Sequence, residues 1–391
     1  MQYNFDEITN RIGTNSSKWD TTKASVLPMW VADMDFKVAP NIIENIMQTA
    51  NHGIFGYTVI PNEYFEAEIN WSKRRFNFDI NKEWIEPTNG VIPSLSSIVQ
   101  TFCEKGDKVL IQSPVYHYFD IAIKQNDIEI VRNHLIYENG IYSIDFADFE
   151  EKVKDEKVKL FILCNPHNPV GRAWSKEELE KMGKLCLKHN VLVISDEIHR
   201  DLILNGFSHT AFGSISEDFL QNSITLTSAT KSFNIAGLKA SNIIVANQNL
   251  RVKLNKVLGR NEIKKLNIFG INSTITAYNS CEDWLDELIS YLESNKKLVE
   301  DFIKNELKEL KVVNLEATYL MWIDISSLNI SSAEFTKILE DFAKLRVISG
   351  ITFGKDGDNF IRVNIATPKE LLKDALKRLK SGVLQTNKCR D

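Results

Sequence analysis

The chain has 391 residues, of which 43% are hydrophobic and 10% aromatic, enough to form two domains with well-filled cores. Its formal net charge of -5 argues against a nucleic-acid-binding protein, because such domains usually carry an excess of Lys and Arg. The five cysteines are scattered and lack metal-ligand spacing, and there is neither a signal peptide nor an apolar stretch of about 18 residues, so we expect a cytoplasmic protein without bound metal or membrane contact.

The first predicted elements lie in the N-terminal quarter. Residues 27–36 read LPMWVADMDF, a proline-punctuated stretch that favours an extended segment over a helix. Residues 88–94 read TNGVIPS and precede an amphipathic pattern that predicts a helix to about Lys105.

Five short apolar runs then predict strands that are buried on both faces. They are Lys108–Gln112, Lys159–Leu163, Val191–Ser195, Ile224–Thr227 and Asn242–Ala246. Helical patterns separate them, such as residues 175–187, where Ser175 has the position of an N-cap and Glu178 follows three residues later. The alternation predicts an α/β fold with a mostly parallel, doubly wound sheet.

The pattern changes after Asn279. A long charged amphipathic helix is predicted through about Lys311, followed by short strands and a terminal helix from Pro368 to Lys380. This part suggests a smaller α+β domain. We expect a large domain at residues 41–280 and a small domain formed by residues 1–40 plus 281–391.

Lys231 follows a predicted strand directly, in the segment SATKSFNIAGLK at residues 228–239. Ligands of open α/β sheets bind at the carboxyl ends of strands, where a desolvated lysine can act as a nucleophile toward an aldehyde. A lone lysine in such a loop is more often a surface residue, so the interpretation depends on its companions.

Two companions follow other strands. Asp196, in VISDEIH at residues 193–199, can keep a pyridinium nitrogen protonated, although an acid there is also a common helix cap. Asn168 lies in NPHNPVGR at residues 165–172, where its amide can donate to a phenolate oxygen from a loop fixed by prolines.

Two further features point to anion binding. Free N–H groups at the helix start near Val91 are a natural phosphate seat, although a simple glycine turn looks the same. Arg362 lies in the apolar run FIRVNIATP at residues 360–368, where its guanidinium can clamp a carboxylate or form a structural ion pair.

In this order, the motifs resemble those of fold-type I, class I/II aminotransferases, which use pyridoxal 5'-phosphate (PLP). Residues 28–36, 53–57, 166–172, 195–199 and 231–237 are most similar to the MalY/PatB-type cystathionine β-lyases, which are PLP-dependent C–S lyases. The resemblance spans essentially the whole chain and implies a homodimer with active sites shared between subunits.

The resemblance also implies a role for each matching residue. Lys231 would attach PLP and serve as acid and base, Asp196 would pair with the ring nitrogen, Asn168 would donate to the ring oxygen, and Tyr116 would stack on the ring. Ser228, Lys239, the amides of Val91 and Ile92, and Tyr57 of the neighbouring subunit would hold the phosphate, while Arg362 and Ala32 would face the substrate carboxylate.

Two positions depart from the wider aminotransferase pattern. His199 replaces a tyrosine that often contacts the ring oxygen, and imidazole can still donate there. Lys239 replaces an arginine that often binds the phosphate, so an ammonium, which is a point charge, takes the place of a planar guanidinium with paired N–H donors.

The implied reaction is β-elimination from cystathionine or cysteine S-conjugates, giving a thiol, pyruvate and ammonia. Transamination of amino acids is the alternative, because it shares the first steps and nearly all of the residues. A non-catalytic PLP-binding regulator is a third possibility, disfavoured because every residue needed for catalysis is present and no basic DNA-binding domain is attached.

Overall fold

The computed structural model describes residues 2–388, so Cys389 lies outside the described part of the chain. In chain order the strands are Leu27–Pro28 (β1), Ile85–Thr88 (β2), Lys108–Ser113 (β3), Glu129–His134 (β4), Ile136–Glu138 (β5), Ile141–Ser143 (β6), Val158–Cys164 (β7), Leu192–Asp196 (β8), Ser223–Thr227 (β9), Ser241–Ile244 (β10), Lys311–Val312 (β11), Leu320–Asp324 (β12), Leu345–Arg346 (β13), Ile348–Ser349 (β14) and Phe360–Asn364 (β15). The helices are Pro40–Asn51 (α1), Asn62–Phe76 (α2), Val91–Phe102 (α3), Tyr118–Lys124 (α4), Phe146–Val153 (α5), Lys176–Lys188 (α6), Glu217–Gln221 (α7), Ala229–Ser232 (α8), Gln248–Arg260 (α9), Ile268–Ser280 (α10), Glu282–Glu306 (α11), Ser332–Asp341 (α12) and Lys369–Lys388 (α13).

The largest sheet has the spatial order β2-β10-β9-β8-β7-β3-β4. Its neighbouring strands run parallel except around β10, which is antiparallel to both β2 and β9. The mostly parallel α/β fold is therefore confirmed. The sequence did not indicate which strand would depart from the parallel direction. That strand is β10, because the connection from Ser228 to Ala240 holds only α8 and one 3-10 turn and stays at the carboxyl edge.

The sequence analysis missed the two edge strands of this sheet. β4 carries charged and polar residues such as Glu129, Arg132 and His134, and it is largely half-buried or exposed. β2 is only four residues long and includes Pro87, which is tolerated because edge strands leave backbone donors unpaired. Neither strand therefore has the continuous apolar pattern of a central one.

Three helices differ in length from prediction, and each difference has a local cause. α3 ends before Lys105 because the chain turns at Gly106, with φ of +100°. α11 ends at Glu306 and not near Lys311, since Lys311 and Val312 pair with β12. The terminal helix continues past Lys380 to Lys388.

A second sheet, in the order β11-β12-β15-β14, is antiparallel throughout. It belongs to the C-terminal part of the chain, and α12 and α13 contact each other beside it. We propose the division into residues 41–280 and residues 1–40 plus 281–391, which the two separate sheets support. No helix of residues 2–388 has the length and apolar character needed to cross a membrane.

Two local predictions near the site are confirmed. α6 opens with the capping box predicted from Ser175 and Glu178, each side chain bonding the other's backbone N–H. The N-terminal segment is extended, with β1 pairing in parallel with β13. Residues 29–36, which we call the strap, continue from β1 toward the carboxyl edge of the large sheet.

Candidate active site

A cavity of about 590 Å³ opens where the central strands of the large sheet end. Asn168, Asp196 and Lys231 line it, and they follow β7, β8 and β9 respectively. Since the carboxyl ends of parallel strands meet at one edge, residues far apart in sequence converge there. The size suits a small-molecule ligand.

Lys231 occupies the third position of α8, which begins after Ser228. The Ser228 hydroxyl caps this helix by accepting the N–H of Thr230. The Lys231 Nζ donates to the carbonyl oxygen of Ala32 in the strap at 2.6 Å. Desolvation lowers the pKa of Lys231 to about 8, with Arg362 acting in the same direction and Asp33 and Asp196 opposing it. A useful fraction of neutral amine therefore exists near neutral pH.

Asp196 ends β8 and is 4% exposed. Its Oδ1 accepts the N–H of Ile198 at 3.2 Å. Desolvation raises the pKa of this carboxyl to about 7, Glu197 adds to the rise, and Lys231 opposes it. A cationic partner in the cavity would therefore be needed to hold Asp196 fully ionised.

His199 is buried beside Asp196 and lines the same cavity. Burial lowers its pKa to about 3, assisted by the charges of Lys231 and Arg362, so the imidazole is neutral at physiological pH. Within residues 2–388 its Nδ1 has no hydrogen-bond partner. Because the ring lines the cavity, the imidazole remains available to a ligand bound there.

Arg362 is 3% exposed, and its contacts are with neutral groups. Its Nη1 donates to Asn168 Oδ1 at 2.9 Å, its Nη2 donates to the Trp30 carbonyl at 3.2 Å, and its Cζ lies 4.8 Å from the centroid of the Phe353 ring. No carboxylate of residues 2–388 lies within 4.0 Å of its guanidinium nitrogens, and burial lowers its pKa to about 10. A buried cation in neutral surroundings is ready to bind an anion.

The start of α3 forms the opposite wall of the cavity. Val91 and Ile92 line it, and their N–H groups belong to the first helical turn, where the helix itself supplies no acceptor. Gly90 precedes them with φ of +152°, a conformation that side chains disfavour. Ser228 and Lys239 complete this end of the cavity.

Two predicted tyrosines have different positions in this chain. Tyr116 lines the cavity, and burial raises its pKa to about 12, so it is a neutral phenol. Tyr57 is fully exposed and does not line the cavity. A single chain thus brings the predicted site residues to the cavity wall with two exceptions. Arg362 lies behind the wall and contacts the lining residue Asn168, and Tyr57 was predicted to act from a second subunit.

The sequence analysis missed residues that hold the strap. Tyr319 is buried, and its hydroxyl donates to the carbonyl of Ala32 at 2.9 Å. The Asn364 side chain donates to the carbonyls of Val31 and Asp33, both at 2.6 Å. Each residue belongs to an apolar run of the small domain, where such side chains look like ordinary core, and no sequence signal marks them.

Residues 25–379 match the family described as aminotransferase class I and II. The chain is 43% identical to cystathionine β-lyase PatB from Bacillus subtilis over 97% of this chain and 100% of that one. The chain belongs to this family. Among solved structures, cystalysin from Treponema denticola, which contains PLP, has a TM-score of 0.96 and 35% identity, covering 98% of this chain and 100% of that one. The PLP-bound C–S lyase from Staphylococcus hominis has a TM-score of 0.93 and 36% identity, covering 98% and 99%.

The cavity of this family member fits PLP in its chemistry. Lys231 offers an amine to an aldehyde, Asp196 offers a carboxylate to a ring nitrogen, and the neutral imidazole of His199 suits a ring oxygen. Free N–H groups at the start of α3 suit a phosphate. The residues present therefore account for each polar part of the cofactor.

Proposed function

We propose that this protein is a PLP-dependent C–S β-lyase that cleaves cystathionine or other cysteine S-conjugates to a thiol, pyruvate and ammonia. The observation that carries this choice of reaction is the 43% identity to a cystathionine β-lyase over 97% of the chain. The site supplies every group that the chemistry needs.

When bound, PLP supplies an aldehyde that captures amino groups and a conjugated ring that draws electrons from the substrate α-carbon. In this proposal Lys231 binds the aldehyde, and Asp196 holds the ring nitrogen protonated. The pKa of Asp196, raised to about 7 by burial, falls once a cation faces the carboxylate, so the two charges stabilise each other.

Three side chains orient the ring. Asn168 uses its Oδ1 to accept from Arg362, which turns its amide N–H groups away from Arg362 and leaves them available to the ring oxygen. Neutral His199 would donate to the same oxygen, and Tyr116 would stack on the ring.

The phosphate is held at the start of α3. Val91, Ile92, Ser228 and Lys239 all line the cavity, and Tyr57 of a second subunit would add a hydroxyl. The Ser228 hydroxyl donates to the Ala240 carbonyl at 2.7 Å and would turn from it to reach a phosphate. Lys239 is an exposed point charge, so the helix start provides the more directional contacts.

Arg362 binds the substrate α-carboxylate, with Ala32 beside it. Because the other contacts of Arg362 are neutral, the arriving carboxylate meets a desolvated cation without a competing anion. With PLP bound, the free Lys231 amine would take the α-proton, and the C–S bond would break with its electron pair leaving on sulfur. The lysine ammonium would then pass the proton to the thiolate, and water would hydrolyse the remaining aminoacrylate to pyruvate and ammonia.

We also propose a cytoplasmic homodimer. The loop between α1 and α2 exposes a run of large apolar side chains, namely Ile54, Phe55, Tyr57 and Val59. Such a patch favours burial in an interface. The free cysteines of the described residues are typical of a reducing compartment.

The decisive experiment incubates PLP-loaded protein with L-cystathionine in the absence of any 2-oxo acid. Sustained release of pyruvate and homocysteine in equal amounts supports the lyase, and Lys231→Ala should release neither. A parallel reaction contains an added 2-oxo acid. If the protein releases no pyruvate without the 2-oxo acid and only transfers an amino group to it when it is present, the protein is an aminotransferase and the proposal is wrong.

A further inference from the structure

The carbonyl oxygen of Ala32 accepts two hydrogen bonds inside the active site. Lys231 Nζ donates to it at 2.6 Å and the Tyr319 hydroxyl donates at 2.9 Å. Tyr319 is fully buried and directly precedes β12. The oxygen is thus shared between the reactive amine and a neutral phenol.

The strap holds this carbonyl in place without help from Tyr319. Asn364 binds the carbonyls on both sides of Ala32, those of Val31 and Asp33, and Arg362 binds that of Trp30. Removing the Tyr319 hydroxyl should therefore leave the oxygen near its position and change chiefly its strength as an acceptor.

A carbonyl that accepts one hydrogen bond is a weaker acceptor for a second donor. An ammonium gains more from an acceptor than a neutral amine does, so a strong acceptor raises the pKa of a lysine. When a phenol also donates to the same oxygen, the ammonium gains less from that acceptor, and the lysine pKa is raised less. We propose that Tyr319 is a positioning residue that acts on Lys231 through the Ala32 carbonyl, keeping the lysine within reach of that oxygen as a neutral amine.

Other groups also act on Lys231 and are left unchanged by a substitution at position 319. Those that face it from the surrounding elements are Asp33, Asp196, His199 and Arg362, and Tyr319 also faces Tyr116. The phenol of Tyr319 stays neutral because burial raises its pKa. Its contribution is therefore a hydrogen bond and not a charge.

The inference rests on the proposed attachment of PLP to Lys231, and its test is independent of C–S cleavage. The rate of covalent PLP capture by apoprotein is measured from pH 6 to 10, because capture requires the neutral amine. Tyr319→Phe should move the midpoint of this profile upward by about 0.5 to 1 pH unit, the equivalent of one hydrogen bond. Below the midpoint, capture should slow about three- to tenfold.

Tyr278→Phe is the matched control. Tyr278 is equally buried, and within residues 2–388 its hydroxyl has no hydrogen-bond partner, so this variant should keep the wild-type midpoint. A second variant keeps the test valid if Tyr319→Phe folds poorly. In this variant 3-fluorotyrosine is incorporated at position 319 only. Fluorine makes the phenol a stronger hydrogen-bond donor, so the midpoint should move downward.

An unchanged midpoint in both position-319 variants would overturn the role of Tyr319, whatever reaction the enzyme catalyses. Conversely, the shifted profile would stand even if the loaded protein proved to be an aminotransferase. The acidic limb of the kcat profile should follow the capture midpoint, and a merely structural role would lower kcat at every pH without moving that limb.

Discussion

At the scale of single residues, the site contains two buried charges of unusual setting. Arg362 contacts the Asn168 amide, a backbone carbonyl and an aromatic ring, while Asp196 is ionisable in a nearly solvent-free position. Each charge costs free energy until a ligand of opposite sign arrives. Both are therefore better suited to binding than to stabilising the fold.

Replacing Arg362 tests the carboxylate contact. Arg362→Lys keeps the charge and loses the planar fork, so kcat/KM for L-cystathionine should fall about 10- to 100-fold, mainly through KM. Steady-state kinetics gives the split. Arg260→Lys, at the exposed end of α9, is the control and should have the wild-type kcat/KM. If Arg362→Lys also kept a kcat/KM close to that of the control, the assignment would be contradicted.

The pKa of Asp196 gives a pH prediction with a definite sign. Because this carboxyl is protonated below about pH 7 in the cofactor-free site, PLP with a protonated ring nitrogen must displace that proton. PLP affinity should therefore fall as pH decreases below 7, by up to about tenfold per unit. Asp196→Asn should bind PLP more weakly at pH 8 and show a shallower pH dependence below 7, because only the contribution of Lys231 remains. Equal slopes in the two proteins would refute the role. Fluorescence titration of apoprotein measures both.

At the scale of elements, two short 3-10 turns at residues 350–353 and 355–357 connect β14 to β15 and pack beside Arg362. A Cβ on Gly350 would lie 2.0 Å from the Gly357 carbonyl oxygen and 2.4 Å from that of Phe360. Because these are backbone atoms, no side-chain rotation relieves the contact. The same turns carry Phe353, whose ring faces the Arg362 guanidinium.

Gly350→Ala should therefore destabilise the protein by several kcal/mol, at least the ~1–3 kcal/mol typical of overpacking, and lower substrate affinity as Phe353 moves. Gly259→Ala is the matched substitution, since its added Cβ meets no atom within 4 Å in α9. It should stabilise the helix by about 0.5–1 kcal/mol. Urea unfolding of the two apoproteins gives the comparison, and equal midpoints would show that the turns can rearrange.

What could be predicted from sequence follows from where each signal lies. Lys231, Asp196 and Asn168 were found because each lies at or just after the end of an apolar strand, a pattern visible along the chain. β4 and the direction of β10 were not predicted. The polar composition of an edge strand and the direction of a strand both depend on which strands pair in the folded protein. Tyr319 escaped for a similar reason: its partner Ala32 is distant in sequence, and only the folded strap brings them together.

At the scale of the whole molecule, the proposed dimer makes each site depend on two chains. Tyr57 is fully exposed, and Ile54, Phe55 and Val59 near it leave most of their apolar surface uncovered in a single chain. A closed twofold arrangement would bury this surface on both subunits at once.

Mixing two inactive variants tests this sharing. Lys231→Ala and Tyr57→Ala subunits, refolded together in equal amounts, should form hybrids with one intact site, giving roughly a quarter of wild-type activity. Each variant refolded alone should remain well below that level. If the mixture shows only the average of the two separate activities, Tyr57 does not act across an interface.

The attachments of the strap determine how the two sheets can move. Ala32 is bound through Tyr319 and its neighbours through Asn364, so it belongs mechanically to the small sheet, whereas Lys231 belongs to the large one. A rotation between the sheets would carry Ala32 away from Lys231 and lengthen their contact first. Asn234, three residues after Lys231, opposes that separation by donating to the carbonyls of Met34 and Phe36. Any relative motion of the sheets would therefore change the environment of a single amine.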